Sequence, residues 1–412
     1  MFTKFTYQCH DCGKSYPGSG VIYVCPECSN KQVADQPPLG ILKVVYNPEL
    51  LTGRSFEALE QNHFLDILPI EDPGSLPNLK VGNTPLYRID RLDGKRQEHL
   101  LYLKDDSQNP TFSFKDRASA IVSAFARENG IDTIVAASTG NAGSSLAGMC
   151  AAQGQKAVIF VPAAAPKAKL TQILMYGAAL VPVDGNYDAA FDLSIQATKR
   201  FGWYNRNTAY NPLTIEGKKT VSLELYSQLN QSLPDRIFVP VGDGVIISGV
   251  YKGFEDLLTM GLIDRMPVIV AVQAEGSSNI INNLGMSPFK ASASHTIADS
   301  ISVDIPRNFR MAAGYLLKYQ GETIKVSDAE IIKASTTLAK NTGIFAEPAA
   351  AAAFAGYEAY SGQNRLPGKS VNVVLLTGSG LKDLNAVQPV LNISAPVRPE
   401  MAAVESFLKG KI

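Results

Sequence analysis

The sequence predicts an α/β protein: doubly wound, three-layer sheets in two domains, with a zinc ribbon at the N-terminus. Three observations carry that prediction. The chain has 412 residues, long enough for two domains and a sizeable core. From Gly82 onward, short apolar runs alternate with stretches of helical spacing, the pattern of strands covered on both faces by helices. And four of the five cysteines, Cys9, Cys12, Cys25 and Cys28, form two Cys-x-x-Cys pairs close to the start.

Composition narrows the function classes. The chain is 45% hydrophobic and 18% charged, with a formal net charge of +0. That balance argues against partners such as nucleic acid or a membrane surface, which select clustered basic residues. No apolar run approaches the length of a bilayer span. Met1-Phe2-Thr3-Lys4-Phe5 lacks the apolar stretch of a signal peptide, so a cytoplasmic protein is expected. Four histidines leave little material for histidine-based hydrolysis.

Taken in chain order, the cysteine pairs come first. Thiolates at this spacing converge on a tetrahedral Zn²⁺, and Gly13 after the first pair suits a tight knuckle. Two disulfides are the competing reading, disfavoured in a reducing cytosol. A redox role is weaker still, since neither pair is expected to follow a strand and open a helix. The closed four-thiolate set makes a structural metal the expectation. Residues 35–80 are rich in proline and are expected to wrap the body irregularly. Strands are predicted at 100–104, 133–137, 157–161, 180–183, 237–241, 268–272 and 371–376. Helices are predicted after Lys115 and over 167–176, 187–201, 216–229 and 328–342. Cys150 falls in an apolar helix and reads as a buried small hydrophobe.

In such sheets, ligands sit beyond the carboxyl ends of strands, where loops enter helices. Four places qualify. Lys115 lies in Asn-Pro-Thr-Phe-Ser-Phe-Lys-Asp-Arg (109–117), where a loop opens a helix; shielded from water there, a lysine becomes a nucleophile, although a lone lysine also fits a solvated first turn. Ser138, Thr139, Gly140, Asn141 and Ala142 follow the strand at 133–137 and can present backbone N–H groups and an amide to an anion. Gly242, Asp243, Gly244, Val245 and Ile246 have the make-up of a phosphate cradle without the Gly-Lys-Ser/Thr ending of a Walker loop. Asp243 is awkward beside a phosphate unless its carboxylate points away. Thr377 heads Thr-Gly-Ser-Gly-Leu-Lys-Asp (377–383) and offers a hydroxyl to a heteroaromatic nitrogen.

Together these segments resemble the pyridoxal-phosphate enzymes of the tryptophan-synthase β fold, most closely the threonine synthase family. The resemblance runs from the zinc ribbon through Gly-Asn-Thr-Pro-Leu (82–86), Ser-Phe-Lys-Asp-Arg (113–117), Ser-Thr-Gly-Asn (138–141), Leu-Met-Tyr-Gly-Ala (174–178), Glu-Gly-Lys-Lys-Thr (216–220) and Glu-Pro-Ala-Ala (347–350) to residues 377–383. It implies pyridoxal 5'-phosphate held by Lys115 through a Schiff base, with the same amine moving protons at Cα and Cβ. It implies Asn141 on the ring hydroxyl, Ser138, Thr139 and neighbouring amides on the substrate carboxylate, Gly242 to Ser248 around the cofactor phosphate, and Thr377 at the pyridine nitrogen. It also implies a division into a ribbon (1–35), a large cofactor domain (36–130 and 216–390), a small domain with the asparagine loop (131–215) and a tail (391–412). A homodimer acting on a small amino acid, with phosphate as its leaving group, is expected.

The family pattern frays where the substrate would be chosen. Ala142 replaces the usual threonine. Asn211-Pro212-Leu213-Thr214 replaces Asn-Pro-Tyr-Arg, so an arginine becomes Thr214, a loss of roughly 1.5–3 kcal/mol of phosphate binding if uncompensated. Ser379 replaces a histidine. Lys169 matches the family's phosphate-facing lysine, and Arg206, by its nearness in the sequence alone, is a candidate to replace the lost arginine. These departures lean the reading towards β-replacement on O-phosphoserine with sulfite, as in the related cysteate synthases. Threonine synthase itself, O-phosphohomoserine and water giving threonine and phosphate, is the close alternative, and a serine/threonine dehydratase the third.

Overall fold

Three sheets organise the chain, which a computed structural model describes over residues 3–409. The first belongs to the cysteine region: β1 (Phe5–Cys9) pairs antiparallel with β2 (Ser15–Pro17) and with β3 (Leu42–Tyr46). The third strand lies in the proline-rich stretch expected to be irregular and beyond residue 35. Its alternating pattern, with Leu42, Val44 and Tyr46 buried and Lys43 and Val45 half-exposed, is that of a strand with one face on a core.

β4 (Leu86–Leu92) and β5 (Lys95–Asp105) form an antiparallel hairpin. Asp93 and Gly94 both have positive φ, 48° and 74°, the backbone of a tight turn that suits the twist of its strands. A four-stranded sheet follows, built from β6 (Thr133–Ala137), β7 (Lys156–Pro162), β8 (Ala179–Val183) and β9 (Tyr204–Asn205), in the order β8-β7-β6-β9 and parallel throughout. The chain then returns to the hairpin's sheet with β10 (Arg236–Pro240), β11 (Val268–Ala274), β12 (Glu322–Val326) and β13 (Val371–Leu376), giving β12-β11-β10-β13-β5-β4, parallel except for β4.

Both larger sheets are covered on two faces, because successive strand residues feed opposite cores. In β13, Val373 and Leu375 join the core with Val221, Leu225, Val250 and Phe254 of helices Leu213–Gln228 and Val245–Thr259. Val374 and Leu376 join the other core, with Ala349–Ala353 of helix Pro348–Gly362 and Ile331 and Leu338 of helix Asp328–Thr342. In the four-stranded sheet, Val135 and Phe160 meet Phe191 of helix Tyr187–Phe201, while Ile134 and Ile159 share a core with Leu146 and Cys150 of helix Asn141–Gln153. The alanine run lets its helix lie close to the sheet: a Cβ added at Gly356 would meet Val272 Cγ2 at 2.6 Å. Helix limits follow their caps. The Asn186 side chain accepts from Ala189 N at 3.0 Å, and Gly202, at φ 68°, ends that helix. Ser327 and Glu330 close a capping box before Asp328. Among the described residues no helix is long and apolar enough to cross a membrane.

The ribbon is tied to the rest by polar bridges. Tyr46 donates to Glu216 Oε2 at 2.7 Å, Lys43 pairs with Glu255, and the Tyr23 hydroxyl accepts from Asn205 N at 2.8 Å. One buried ion network holds the centre. Arg117 Nε reaches Asp106 Oδ2 at 2.6 Å, its two Nη atoms reach Glu224 at 2.6 and 2.7 Å, and Lys104 Nζ joins Glu224 Oε2 at 2.7 Å. Gly-Asn-Thr at 82–84 is bound into it, Asn83 N donating to Glu224 Oε1 and Thr84 Oγ1 to Asp106 Oδ1. Glu224→Gln removes the charge that serves two buried cations. Urea unfolding of this variant is expected to show a loss of about 3–5 kcal/mol. Arg88→Ala, which deletes the exposed pair with Asp90, is expected to change stability by less than about 1 kcal/mol.

Candidate active site

Lys115 is the first residue of helix Lys115–Glu128, and its neighbours fix where it can point. Asp116 turns back to accept from Thr111 N at 2.7 Å and from the Thr111 hydroxyl, while Arg117 enters the ion network. Phe114 N donates to Thr377 O at 2.9 Å, and Ser113 bridges to Gly378. The lysine turn and the loop after β13 are therefore held as one piece. Among the described residues, Lys115 Nζ has no hydrogen-bond or ion-pair partner. Burial, then the charge of Arg206, lower its pKa to about 8, against the opposing pull of Asp243 and Glu347. About a tenth of such amines are neutral at pH 7, the form a nucleophile needs.

Asn141 opens its helix from the turn after β6, and its amide nitrogen donates to both carboxylate oxygens of Glu347, at 2.9 and 3.1 Å. Sequence reasoning quoted Glu347 only as part of a motif; the structure makes it a group of the site. It is buried, burial raises its pKa to about 7, and Asn141, Lys115 and Lys382 pull the other way. Glu347 N donates to Gly378 O at 3.0 Å, and a Cβ at Gly378 would lie 2.4 Å from Glu347 Oε1, so only glycine fits beneath that carboxylate. Lys382, also unread from sequence, donates to Ser144 Oγ at 2.8 Å and to Thr111 O at 3.2 Å. Ser138, Thr139, Gly140 and Ala142 are half-buried around Asn141, and Ser138 Oγ accepts from Gly140 N at 3.2 Å.

The glycine loop lies after β10. Gly244 has φ 86° and precedes helix Val245–Thr259, so Val245 and Ile246 begin that helix with free N–H groups. A Cβ at Gly242 would come within 2.8 Å of Ile301 Cα. Asp243, the awkward residue of this loop, is turned aside: its Oδ1 accepts from Arg307 N at 3.0 Å and its carbonyl from Asn308 N at 3.0 Å. Asn308 braces the loop further through Gly244 O and Ser248 Oγ. Thr377 is buried. An amine free to form a covalent bond and a glycine-lined helix start are what a phosphorylated aldehyde cofactor requires, and these residues fit one.

The residues expected to choose the substrate do not form one clamp. Lys169 Nζ is engaged by Asp299 Oδ2 at 2.6 Å. Thr214 is fully buried and donates to Asn211 O at 2.8 Å, in the turn just before its own helix. Two other basic residues, Arg206 and Lys218, are fully buried; the charge of Arg206 acts on Lys115, and Lys218 feels both Arg206 and Lys115. The cysteines converge in the ribbon. Cys9 and Cys28 Sγ lie 3.8 Å apart, Cys12 and Cys25 Sγ 3.9 Å apart, and all four within 4.8 Å of one another. Cys9 ends a strand and Cys25 caps a single helical turn, Pro26–Ser29, and, in line with the sequence expectation, neither pair both follows a strand and opens a helix. Cys150 is buried, its thiol pushed up to about 12 by burial.

Comparison with known proteins agrees with this geometry. Residues 78–378 match the family of pyridoxal-phosphate dependent enzymes. The chain is 33% identical to a threonine synthase of Methanocaldococcus jannaschii over 98% of its own length and 99% of that protein. It is 32% identical to a threonine synthase of Methanosarcina acetivorans over 98% of both. The fold is also that of a solved threonine deaminase from Solanum lycopersicum, with a TM-score of 0.67 at 22% identity over 83% of this chain and 96% of that one. The fold is thus the α/β pyridoxal-phosphate fold of tryptophan synthase β type, and the chain belongs to the pyridoxal-phosphate-dependent enzymes, in their threonine synthase family.

Proposed function

We propose that this enzyme converts O-phosphohomoserine and water to threonine and inorganic phosphate. The observation that carries the reading is the pair of buried basic residues, Arg206 and Lys218, electrostatically linked to Lys115 and neither ion-paired with a carboxylate among the described residues. An amino acid carrying a phosphate ester supplies the missing charge, whereas a dehydratase substrate brings none. The full-length similarity to proteins named threonine synthase supports water and O-phosphohomoserine as the reactants. β-Replacement on O-phosphoserine with sulfite is the second reading, favoured by the neutral Thr214 where related sequences carry arginine.

When bound, pyridoxal phosphate supplies the electron sink that makes the substrate's Cα proton labile. The chain's own groups do the rest. Lys115 is the attachment point and, once released, the base that takes and returns protons at Cα and Cβ. Its depressed basicity keeps a usable fraction neutral near pH 7. Asn141, held by Glu347, presents its amide to the ring hydroxyl. Thr377 offers the ring nitrogen a neutral hydroxyl, which favours side-chain elimination over transamination. Ser138, Thr139 and the first turn of helix Asn141–Gln153 hold the substrate carboxylate, and Gly242, Gly244, Val245 and Ile246 the cofactor phosphate. The site is formed by the large cofactor domain (36–130 and 216–390) and the small domain with the asparagine loop (131–215), in a cytoplasmic homodimer. For the ribbon we propose a structural Zn²⁺: ligands at about 2.3 Å in tetrahedral array stand about 3.8 Å apart, matching the sulfur spacings.

Four outcomes are expected. Lys115→Ala loses the visible absorbance of lysine-bound cofactor. In cofactor-free wild type, the rate of cofactor attachment rises with pH and levels off near pH 8, because the neutral amine is the reactive form and its pKa is about 8; a rise continuing to the ordinary lysine range contradicts this. Offered O-phosphohomoserine, O-phosphoserine with sulfite, and L-threonine separately, the enzyme releases phosphate and makes threonine from the first. Cysteate from the second as the efficient product decides for β-replacement, and 2-oxobutyrate from L-threonine for a dehydratase. Elemental analysis of protein purified under reducing conditions gives one zinc per chain, absent from Cys9→Ser/Cys28→Ser.

A further inference from the structure

Among the described residues, six lysines and arginines are buried: Lys104, Arg117, Arg206, Lys218, Lys219 and Lys252. Four of them have carboxylates. Lys104 and Arg117 share Glu224, with Asp106 also on Arg117; Lys219 has Glu216 and Asp256; Lys252 has Asp256. Arg206 and Lys218 have none. Arg206 Nε donates to Ser119 Oγ at 3.1 Å and Nη1 to Thr208 Oγ1 at 3.1 Å, while Nη2 is buried with no partner. Lys218 Nζ donates only to Thr214 O, at 3.1 Å. Buried cations without counter-charges are strongly unfavourable, and a fold that neutralises four of six has left these two for a reason outside the chain.

Their surroundings define what is missing. Ser119, which holds Arg206, lies one helical turn beyond Lys115. Lys218 is wedged between helices: a Cβ at Gly217 would strike Arg117 O at 2.2 Å, and one at Gly249 would strike Lys218 Cβ at 2.5 Å. It therefore sits between the helix begun by Lys115 and the helix begun by the glycine loop, both with their positive ends at the site. The three basic groups are electrostatically linked: Arg206 lowers the pKa of Lys115, and, beyond burial, Arg206 and Lys115 push Lys218 well below the usual lysine range. Asp243 opposes this at Lys115 and Lys218, and Tyr187 and Asp116 at Arg206. Asp243 is already engaged by the Arg307 amide, and Asp116 by Thr111.

We propose that Lys218 and Arg206 are the two cationic walls of a binding site for the substrate's phosphate monoester, with Lys218 standing in for the arginine that Thr214 replaces. The inference rests on the reading of a phosphorylated substrate. The cofactor's phosphate has its own cradle of loop and helix amides, and two unit cations match one further dianion. Thr214 and Lys218 are four residues apart, so a cation at either projects from the same helix face.

The test compares wild-type holoenzyme with Lys218→Gln, Lys218→Arg and Arg206→Lys, using inorganic phosphate as the probe. Phosphate is titrated by calorimetry and by its stabilisation of thermal unfolding, cofactor content is measured by absorbance, and L-threonine binding serves as the unphosphorylated control. Expected for Lys218→Gln is at least a tenfold weakening of phosphate binding and a similar fall in kcat/KM for the phosphorylated amino acid. L-threonine affinity and cofactor content should be unchanged, Lys218→Arg should restore most of the loss, and Arg206→Lys should also weaken phosphate. Without phosphate, Lys218→Gln should unfold at or above the wild-type temperature. Unchanged phosphate binding in Lys218→Gln overturns the assignment, and so does loss of cofactor with phosphate binding intact, which would give Lys218 to the cofactor's phosphate. Wild type that binds phosphate but turns over neither O-phosphohomoserine nor O-phosphoserine overturns the phosphorylated-substrate reading alone.

Discussion

The site depends on one buried guanidinium. Arg117 binds Asp106 at the end of the β4–β5 hairpin and Glu224 in the middle of helix Leu213–Gln228, fixing the turn that carries Lys115 against both. Asp116 is drawn the same way by Thr111. With two consecutive side chains of a helix committed to the interior on one side, the residue before them is directed to the other. The network does for Lys115 what preorganisation requires: the supporting groups, rather than the reacting one, bear the positional constraint. It also explains why Gly-Asn-Thr at 82–84, far from any reacting atom, recurs in the motif set, since those residues complete the coordination of Asp106 and Glu224.

Charge pairing separates structure from function elsewhere in the molecule. Glu216, Asp256, Lys219 and Lys252 pair their charges with one another beneath the ribbon, with Tyr46 donating to Glu216 Oε2. Such a cluster locks elements together and binds nothing. Around Lys115 the same residue types are arranged with the charges unmatched: two cations without acids, and Glu347 held by a neutral amide in place of a cation. A buried carboxyl with its pKa near 7 can change protonation near neutral pH, and among the described residues its one direct side-chain partner is Asn141, the residue proposed to face the cofactor.

Much of this architecture was legible in the sequence because local signals and burial agreed. Helices Tyr187–Phe201 and Asp328–Thr342 begin and end where the sequence predicts, each bounded by a polar cap and a terminal glycine. The strands predicted after residue 130 are largely apolar runs, as strands buried in a sheet interior must be; the two edge strands β9 and β12 were missed, the first because it has two residues and the second because Glu322 and Lys325 interrupt its apolar pattern. β3 was missed because five residues of alternating pattern are easily lost among prolines, and their pairing with β1 is non-local. The first half of the β4–β5 hairpin was missed although Asp93-Gly94 is a strong turn signal, since its strands carry charged residues on an exposed face. In the site, Lys115 and the three loops were readable from strand-to-helix transitions. Glu347 and Lys218 were not, because what marks them is burial without a matching charge. That property belongs to the packed chain and leaves no trace in spacing.

The unmatched cations bear on the chemistry as well as on binding. Arg206 lowers the pKa of Lys115, and Lys115 and Arg206 together lower that of Lys218. A phosphate dianion set between these groups reverses the sign of that influence, since an opposite charge at close range favours the protonated form. With phosphate bound as proposed, Lys115 becomes the stronger base while the leaving group is in place, the interval in which protons must be taken from carbon. Departure of phosphate would return the amine to its less basic state, of which a larger fraction is neutral at pH 7 and nucleophilic. The two tasks of one lysine, nucleophile and base, call for different basicities. A clamp of cations filled and emptied once per turnover supplies both without moving the backbone that Arg117 holds.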